Sequence, residues 1–107
     1  MAVRSLVEEI TSALVDRFQP RRVILFGSRA RGDASPSSDV DLFVELESDL
    51  GKPVLERIVA VREVFGLHPW SMDLLVYTTE EVRRMREMGG TILDVVETEG
   101  KVLYARS

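Results

Sequence analysis

The sequence predicts a small α/β (α+β) domain in which helices pack against a mixed β-sheet. One observation behind this prediction is the apolar pattern, which repeats at helical spacing in some segments and runs unbroken or alternates in others. Another is the order of these segments: helix, strand, short turn, strand, helix, strand, helix, helix, strand. The third is size and composition, because 107 residues, 45% hydrophobic and 30% charged, suit a single soluble domain spanning 1–107.

The N-terminal half of the chain contains one predicted helix and two predicted strands. Apolar residues at helical spacing predict an amphipathic helix over 3–18, which Pro20 ends. The unbroken apolar run 23–26 is typical of a buried strand that stops at Gly27. Within 39–46 every second residue is aliphatic, which predicts a half-buried strand.

The C-terminal half is predicted to add three helices and two strands. Thr78 and Glu81 have the spacing of a capping box, which indicates the start of a helix. In chain order the five elements are a helix over 54–65, a strand over 72–77, a helix from 79 to the glycine pair 89–90, a helix over 92–97 and a strand over 102–104.

The composition excludes several classes of function. A net charge of −4 and a pI near 5.0 argue against general binding of nucleic acid or anionic membrane, because both need a basic surface. The absence of cysteine excludes thiolate metal sites, and a single histidine, His68, excludes a histidine cage. No apolar run approaches the roughly 18 residues of a membrane span, and the N-terminus lacks a signal-peptide pattern, so we expect a cytoplasmic protein.

The most informative segment, residues 27–42, begins where the first strand ends in Gly27 and Ser28. Glycine there allows backbone amides to approach a ligand closely, and exposed amides at such a turn favour a phosphate group. The spacing of Gly27 and Gly32 matches a P-loop, but Gly32 is followed by Asp33 and not by the lysine of that motif. We therefore exclude a P-loop NTPase.

Two aspartates on the next strand are candidate metal ligands. Asp39 and Asp41 are two residues apart, which places both side chains on one face of a strand with Cα atoms about 6.5–7 Å apart. Carboxylates that share a space repel each other unless a cation lies between them, and their oxygens suit Mg²⁺ or Mn²⁺. A solvated strand face explains an isolated Asp-x-Asp pair equally well.

Asp73 adds a third acidic residue to this set. It lies within an otherwise apolar strand, where propensity and the cost of burial both disfavour aspartate. If that strand pairs beside the first two, Asp73 completes a three-carboxylate site able to hold two metal ions. An edge-strand aspartate facing water is the alternative interpretation.

Together these residues resemble the minimal nucleotidyltransferase (MNT) family of the DNA polymerase β superfamily, including the MntA-like antitoxins of HEPN/MNT toxin–antitoxin pairs. The resemblance is carried by the Gly-Ser turn within 26–32, the Asp-x-Asp strand within 38–42 and the later Asp73, and it covers nearly the whole chain. It implies the nucleotidyltransferase fold. It also implies a metal-dependent transfer of a nucleoside monophosphate, AMP from ATP, to a hydroxyl acceptor.

The resemblance also implies roles for individual residues. The triphosphate of the NTP would lie over the turn at Gly27 and Ser28. Two Mg²⁺ (or Mn²⁺) ions would be bound by the catalytic residues Asp39, Asp41 and Asp73, and Asp73 would serve as the base for the acceptor hydroxyl. Three further candidate nucleotide contacts are Arg29, Arg31 and Ser38.

Other interpretations of the polar residues remain open. A solvated surface explains Arg29 and Arg31 as well as phosphate contacts do, and Ser38 either orients Asp39 or ends the loop. His68 is interpreted as a loop residue packed beside an aromatic side chain. The helical arginines 83, 84 and 86 form either a solvated face or a surface for an acidic partner.

The resemblance finally implies a partner. Larger relatives carry further domains that hold the acceptor, so here a HEPN-domain partner protein or a homo-oligomer is expected to complete the acceptor site. Transfer of AMP to a HEPN toxin would make this chain its antitoxin. Two alternatives keep the same fold: a non-catalytic antitoxin that acts by contact, and an aminoglycoside-type nucleotidyltransferase that modifies a small molecule.

Overall fold

A computed structural model describes residues 5–35, 38–66 and 70–106 of the chain. Within these ranges the helices and strands follow the predicted order, and a 3-10 turn at Glu63–Phe65 extends the third helix. The elements are α1 (Leu6–Phe18), β1 (Arg22–Phe26), α2 (Ser28–Arg31), β2 (Val40–Leu46), α3 (Val54–Arg62), β3 (Met72–Thr78), α4 (Thr79–Met88), α5 (Ile92–Glu99) and β4 (Lys101–Ala105).

The four strands form one mixed sheet in the order β3-β2-β1-β4. β1 pairs antiparallel with β2 and with β4, and a register shift between Val23 and Ile24 interrupts the pairing with β4. β2 and β3 are parallel, because the chain crosses back through α3 between them. The prediction of an α/β domain with a small mixed sheet is confirmed.

Helices cover both faces of the sheet and form two hydrophobic cores. Alternate residues along β1, β2 and β3 point to opposite faces, so these three strands contribute to both cores, whereas β4 packs against one of them through Leu103 and Tyr104. α1 and α3 pack on one face through Ile10, Leu14 and Val61. α4 and α5 pack on the other face through Val82, Leu93 and Val96.

β2 is buried on both faces, so the prediction of a half-buried strand is wrong. Phe43 is fully buried and Glu45 is only 4% exposed, although both lie opposite the aliphatic residues of the strand. Their face is covered by α4 and α5, and the residue pattern of one strand does not reveal which distant elements pack on it.

Capping boxes fix the starts of α1 and α4. Ser5 and Glu8 form a capping box at α1, so the helix begins at Leu6, and Ser5, which the prediction placed inside the helix, is its N-cap. Thr78 and Glu81 form the predicted capping box at α4. Residues 1–4 and His68 lie outside the described residues. In the described part of the chain, none of the helices is long and apolar enough to cross a membrane.

A buried arginine on α3 connects three elements. Nη1 of Arg57 donates to the Val76 carbonyl (3.1 Å) and to Oε1 of Glu81 (2.7 Å), and Nη2 donates to the Lys52 carbonyl (3.1 Å). Burial alone would raise the pKa of Glu81, but hydrogen bonds from Arg57 and Thr78 and the Arg57 charge hold it below its ordinary value. Arg57 therefore fixes α3 against β3 and the start of α4.

Replacing Arg57 by alanine is expected to lower the free energy of unfolding by about 3 kcal/mol, because the Glu81 carboxylate and the carbonyl oxygens lose their donor. Glu81→Gln is expected to lower it less, since Arg57 keeps its backbone partners. Urea denaturation at pH 7 measures both variants. As the pH falls through the lowered pKa of Glu81, the wild type loses this stabilisation, whereas Glu81→Gln does not.

The matched control is Arg84→Ala. Arg84 is exposed, and its Nε lies 4.0 Å from Oε1 of Glu80. Its free energy of unfolding is expected to change by no more than about 0.5 kcal/mol. Equal losses in the Arg57 and Arg84 variants would contradict the role assigned to Arg57.

Candidate active site

Asp39, Asp41 and Asp73 come together at the end of the sheet where β1 ends and where β2 and β3 begin. Asp41 lies opposite Asp73 in the parallel pairing of β2 with β3, and opposite Phe26 in the antiparallel pairing with β1. Each aspartate offers one carboxylate oxygen, and these three oxygens lie within 4.8 Å of one another. The strand that carries Asp73 therefore lies directly beside the Asp-x-Asp strand.

The three carboxylates differ in their surroundings. Asp39 and Asp73 are exposed, whereas Asp41 is half-buried between them. Burial, a hydrogen bond with Asp73 and the negative charges of Asp73 and Asp39 together raise the pKa of Asp41 to about 6, against a lowering by Arg31. The site thus disfavours a full set of negative charges unless a cation is present.

This donor set fits a divalent metal ion. The ligand atoms are carboxylate oxygens, which are the ligands that Mg²⁺ and Mn²⁺ prefer. Oxygens on opposite sides of one Mg²⁺ are about 4.2 Å apart, so the 4.8 Å spread needs only a small side-chain adjustment. A bound cation would also offset the burial and the carboxylate repulsion that together raise the pKa of Asp41.

Gly27 forms the turn from β1 into α2 and adjoins the carboxylates. Its φ of 75° lies in a region that L-residues disfavour. A Cβ at this position would collide with Oδ2 of Asp41. Glycine is therefore needed twice, for the backbone conformation and for the space that Asp41 occupies. The structure therefore brings the predicted Gly-Ser turn into contact with one of the predicted aspartates, Asp41.

The predicted contacts Arg29 and Ser38 lie on either side of the loop that follows this turn. Nη2 and Nε of Arg29 donate to the carbonyl oxygen of Ser38, at 2.9 and 3.3 Å. The Ser38 hydroxyl accepts a hydrogen bond from the Ser35 amide at 2.8 Å. Arg29 thus contacts the backbone just before Asp39, which the sequence did not reveal.

Arg31, at the C-terminus of α2, is exposed and close to two acidic side chains. Its Nε lies 3.4 Å from Oδ2 of Asp33, and its Nη1 lies 3.9 Å from Oε1 of Glu99. Arg31 also lowers the pKa of Asp41, so its positive charge acts on the carboxylate cluster. Such exposed pairs are weak, and the side chain can exchange them for another anion.

The arginine cluster on α4 forms ion pairs within the chain. Arg83 bonds to Glu80 and Glu87 along its own helix, and Arg86 bonds to Glu97 on α5 at 2.6 Å. This pairing favours the solvated-face interpretation over a surface for an acidic partner.

The carboxylates lie on an open surface. A groove of about 340 Å³ lies elsewhere, between α1 and β4, with Val7, Val15 and Tyr104 in its lining. It contains none of the predicted site residues. Because Asp39 and Asp73 are exposed, a large molecule can reach them directly.

The chain is similar to a known domain family and to a known protein. A family model described as "Nucleotidyltransferase domain" matches residues 7–103. A protein of Methanocaldococcus jannaschii, provisionally named protein adenylyltransferase MJ1379, is 28% identical over 68 residues, which cover 61% of this chain and 68% of that protein.

Solved structures share the fold, and two of them illustrate the match. A provisionally assigned nucleotidyltransferase from Sulfolobus solfataricus has a TM-score of 0.64 and 24% identity, covering 94% of this chain and 78% of its own. A toxin–antitoxin structure with AMP-PNP has a TM-score of 0.63 and 23% identity, and the match covers 96% of this chain and 76% of the chain in that structure. At these identities the likeness concerns the fold alone.

In the metal-free protein, Asp41→Asn is expected to raise the free energy of unfolding at pH 7.5 by about 1 kcal/mol, after allowance for solvent screening. Because folding raises the pKa of Asp41 from 3.8 to about 6, the wild type loses stability as the pH rises through that window. Urea denaturation in EDTA between pH 4 and 8 measures this, with Asp16→Asn on α1 as the control. Parallel pH profiles for wild type and Asp41→Asn would contradict the expectation.

Gly27→Ala is expected to impair Mn²⁺ binding, because the added methyl group displaces the Asp41 carboxylate. Gly89→Ala is a matched control: Gly89 has φ 72°, close to the 75° of Gly27, but open space around its Cβ position. Both variants are expected to lose about 1–3 kcal/mol of stability from backbone strain. Only Gly27→Ala should weaken Mn²⁺ binding in a titration of the folded proteins, and equal binding in both would contradict the steric argument.

Proposed function

This chain belongs to the nucleotidyltransferase domain family, and from that premise we propose that it transfers AMP from ATP to a hydroxyl group on a partner protein. The observation that carries the proposal is the group of three aspartate carboxylates, with oxygens within 4.8 Å of one another, beside a glycine turn. The closeness of like charges supports a site that takes up a cation together with an anionic substrate.

In this proposal the turn and α2 bind the triphosphate. Gly27 lets the phosphate groups approach the backbone, and Ser28 offers a hydroxyl group at the start of α2. Arg31 exchanges its exposed pairs for phosphate oxygens. The residues thus hold the α-phosphorus beside the carboxylates.

The aspartates would bind two Mg²⁺ or Mn²⁺ ions, which neutralise phosphate charge and lower the pKa of the acceptor hydroxyl when bound. Asp73 is exposed, so an acceptor can approach it, and in this proposal it accepts the proton of the acceptor hydroxyl. The acceptor oxygen forms a bond to the α-phosphorus, the bond to the bridging oxygen of the β-phosphate breaks, and pyrophosphate leaves. The protein contributes position and charge, without a covalent intermediate.

A protein acceptor is supported by the shape of the site. Exposed carboxylates on an open surface leave room for a second macromolecule to form the opposite wall. The name of the M. jannaschii relative, a protein adenylyltransferase, agrees with this class of acceptor. The toxin–antitoxin neighbour with AMP-PNP supports a toxin as the partner, and we propose a HEPN-domain toxin, with this chain as its antitoxin.

Label transfer from ATP labelled at the α-phosphate, with Mg²⁺ and a lysate of the source cells, tests the proposal. A labelled protein band is expected with the wild type, and Asp41→Asn is expected to reduce its intensity by about 100-fold or more. Mass spectrometry of that band then identifies the modified residue, which is expected to carry AMP on a hydroxyl side chain of a HEPN-domain protein.

Asp16→Asn, an exposed change on α1, is the control and should label as the wild type does. Equal labelling by wild type and Asp41→Asn would refute the catalytic role of the cluster. If the wild type labels nothing but both proteins suppress the toxin in cells, a non-catalytic antitoxin is the better description. Labelling of a small molecule alone would favour the small-molecule enzyme.

A further inference from the structure

Asp39 is the member of the carboxylate cluster that lies outside the strands, one residue before β2. Asp41 and Asp73 are direct partners in the parallel pairing of β2 with β3. β2 begins only at Val40, whose amide donates to the Ser71 carbonyl at 2.9 Å. The position of Asp39 therefore depends on the loop that precedes it.

Two sets of hydrogen bonds fix the end of this loop. The Ser38 amide donates to the Ser35 carbonyl at 3.0 Å, and the Ser35 amide donates to the Ser38 hydroxyl oxygen at 2.8 Å. Arg29 donates from Nη2 and Nε to the Ser38 carbonyl. The serine pair is local, whereas Arg29 connects the loop to α2 and so to the glycine turn.

We propose that Arg29 is a positioning residue that places Asp39 for metal binding; the role in transfer rests on the function proposed above. The Ser38 carbonyl and the Asp39 amide belong to one planar peptide unit. Two hydrogen bonds that orient this carbonyl therefore also orient the backbone at Asp39, and with it the side chain. Without them, Asp39 would have to be ordered each time a metal ion binds, which weakens binding.

The geometry favours this role over direct contact with phosphate. Nε and Nη2 of Arg29, which both donate to the Ser38 carbonyl, form the two-donor edge of the guanidinium group. That edge is the one that would bind an anion in a bidentate manner, and here it is used by the loop. Lysine keeps the charge of arginine but cannot reproduce the two-donor fork. Arg29→Lys therefore separates orientation of the loop from the positive charge alone.

The test is Mn²⁺ binding to the nucleotide-free protein, measured from the signal of free Mn²⁺ by electron paramagnetic resonance. Arg29→Lys and Arg29→Ala are both expected to weaken binding by about 10-fold or more, the range seen when a residue that orients a metal ligand is removed. Arg84→Lys, an exposed change on α4, should bind as the wild type does. Circular dichroism shows that each variant is folded, and the Asp39 amide resonance should shift in both Arg29 variants.

In the transfer assay, positioning predicts a lower kcat and a higher Mg²⁺ requirement for both Arg29 variants, with little change in the KM for ATP. Unchanged Mn²⁺ binding in Arg29→Lys, with a raised KM for ATP in Arg29→Ala, would overturn the proposal in favour of a phosphate contact. Failure of the wild type to bind Mn²⁺ would overturn it as well. If the wild type binds Mn²⁺ but transfers nothing, the proposed function fails, and the Mn²⁺ titration still decides the role of Arg29.

Discussion

Repulsion between carboxylates is imposed on this protein by the pairing of two strands. In the parallel pairing of β2 with β3, Asp41 lies opposite Asp73. Burial of Asp41, its hydrogen bond with Asp73 and the charges of Asp73 and Asp39 raise the pKa of Asp41, so the ionised form of this carboxyl is disfavoured. The arrangement is held by the remainder of both strands, which are packed into two cores on opposite faces of the sheet. The fold thus supplies the stability that a site of like charges takes away.

Ion pairs supply part of this support away from the site. Arg57 joins α3 to β3 and to Glu81 at the start of α4. On the other face, buried Glu45 accepts from Arg22 at 2.8 Å and from the Thr79 hydroxyl at 2.9 Å, and so connects the sheet to α4. Polar residues therefore connect the sheet to helices on both of its faces.

Sequence patterns identified the elements from their short-range periodicity, and the members of the carboxylate cluster from the Asp-x-Asp spacing and from an aspartate within an apolar strand. They did not show that α4 and α5 cover Phe43 and Glu45, since burial of that face depends on residues far along the chain. The same limit explains Arg29: an arginine beside a glycine turn suggests a phosphate contact, but its distance to Ser38 depends on how the loop folds back. The sequence predicted that Asp73 lies near Asp41 only if their two strands are neighbours, because the pairing and register of strands depend on both strands together.

The contact between Gly27 and Asp41 restricts how this chain can drift in evolution. A side chain at position 27 needs space that the Asp41 carboxylate fills, so the two positions cannot change independently. A descendant that keeps the carboxylate must also keep the glycine. In a descendant that has lost the chemistry, position 41 can be substituted before position 27, because the positive φ at position 27 still favours glycine. Loss of aspartate beside a retained glycine would therefore mark relatives that use the fold for another purpose.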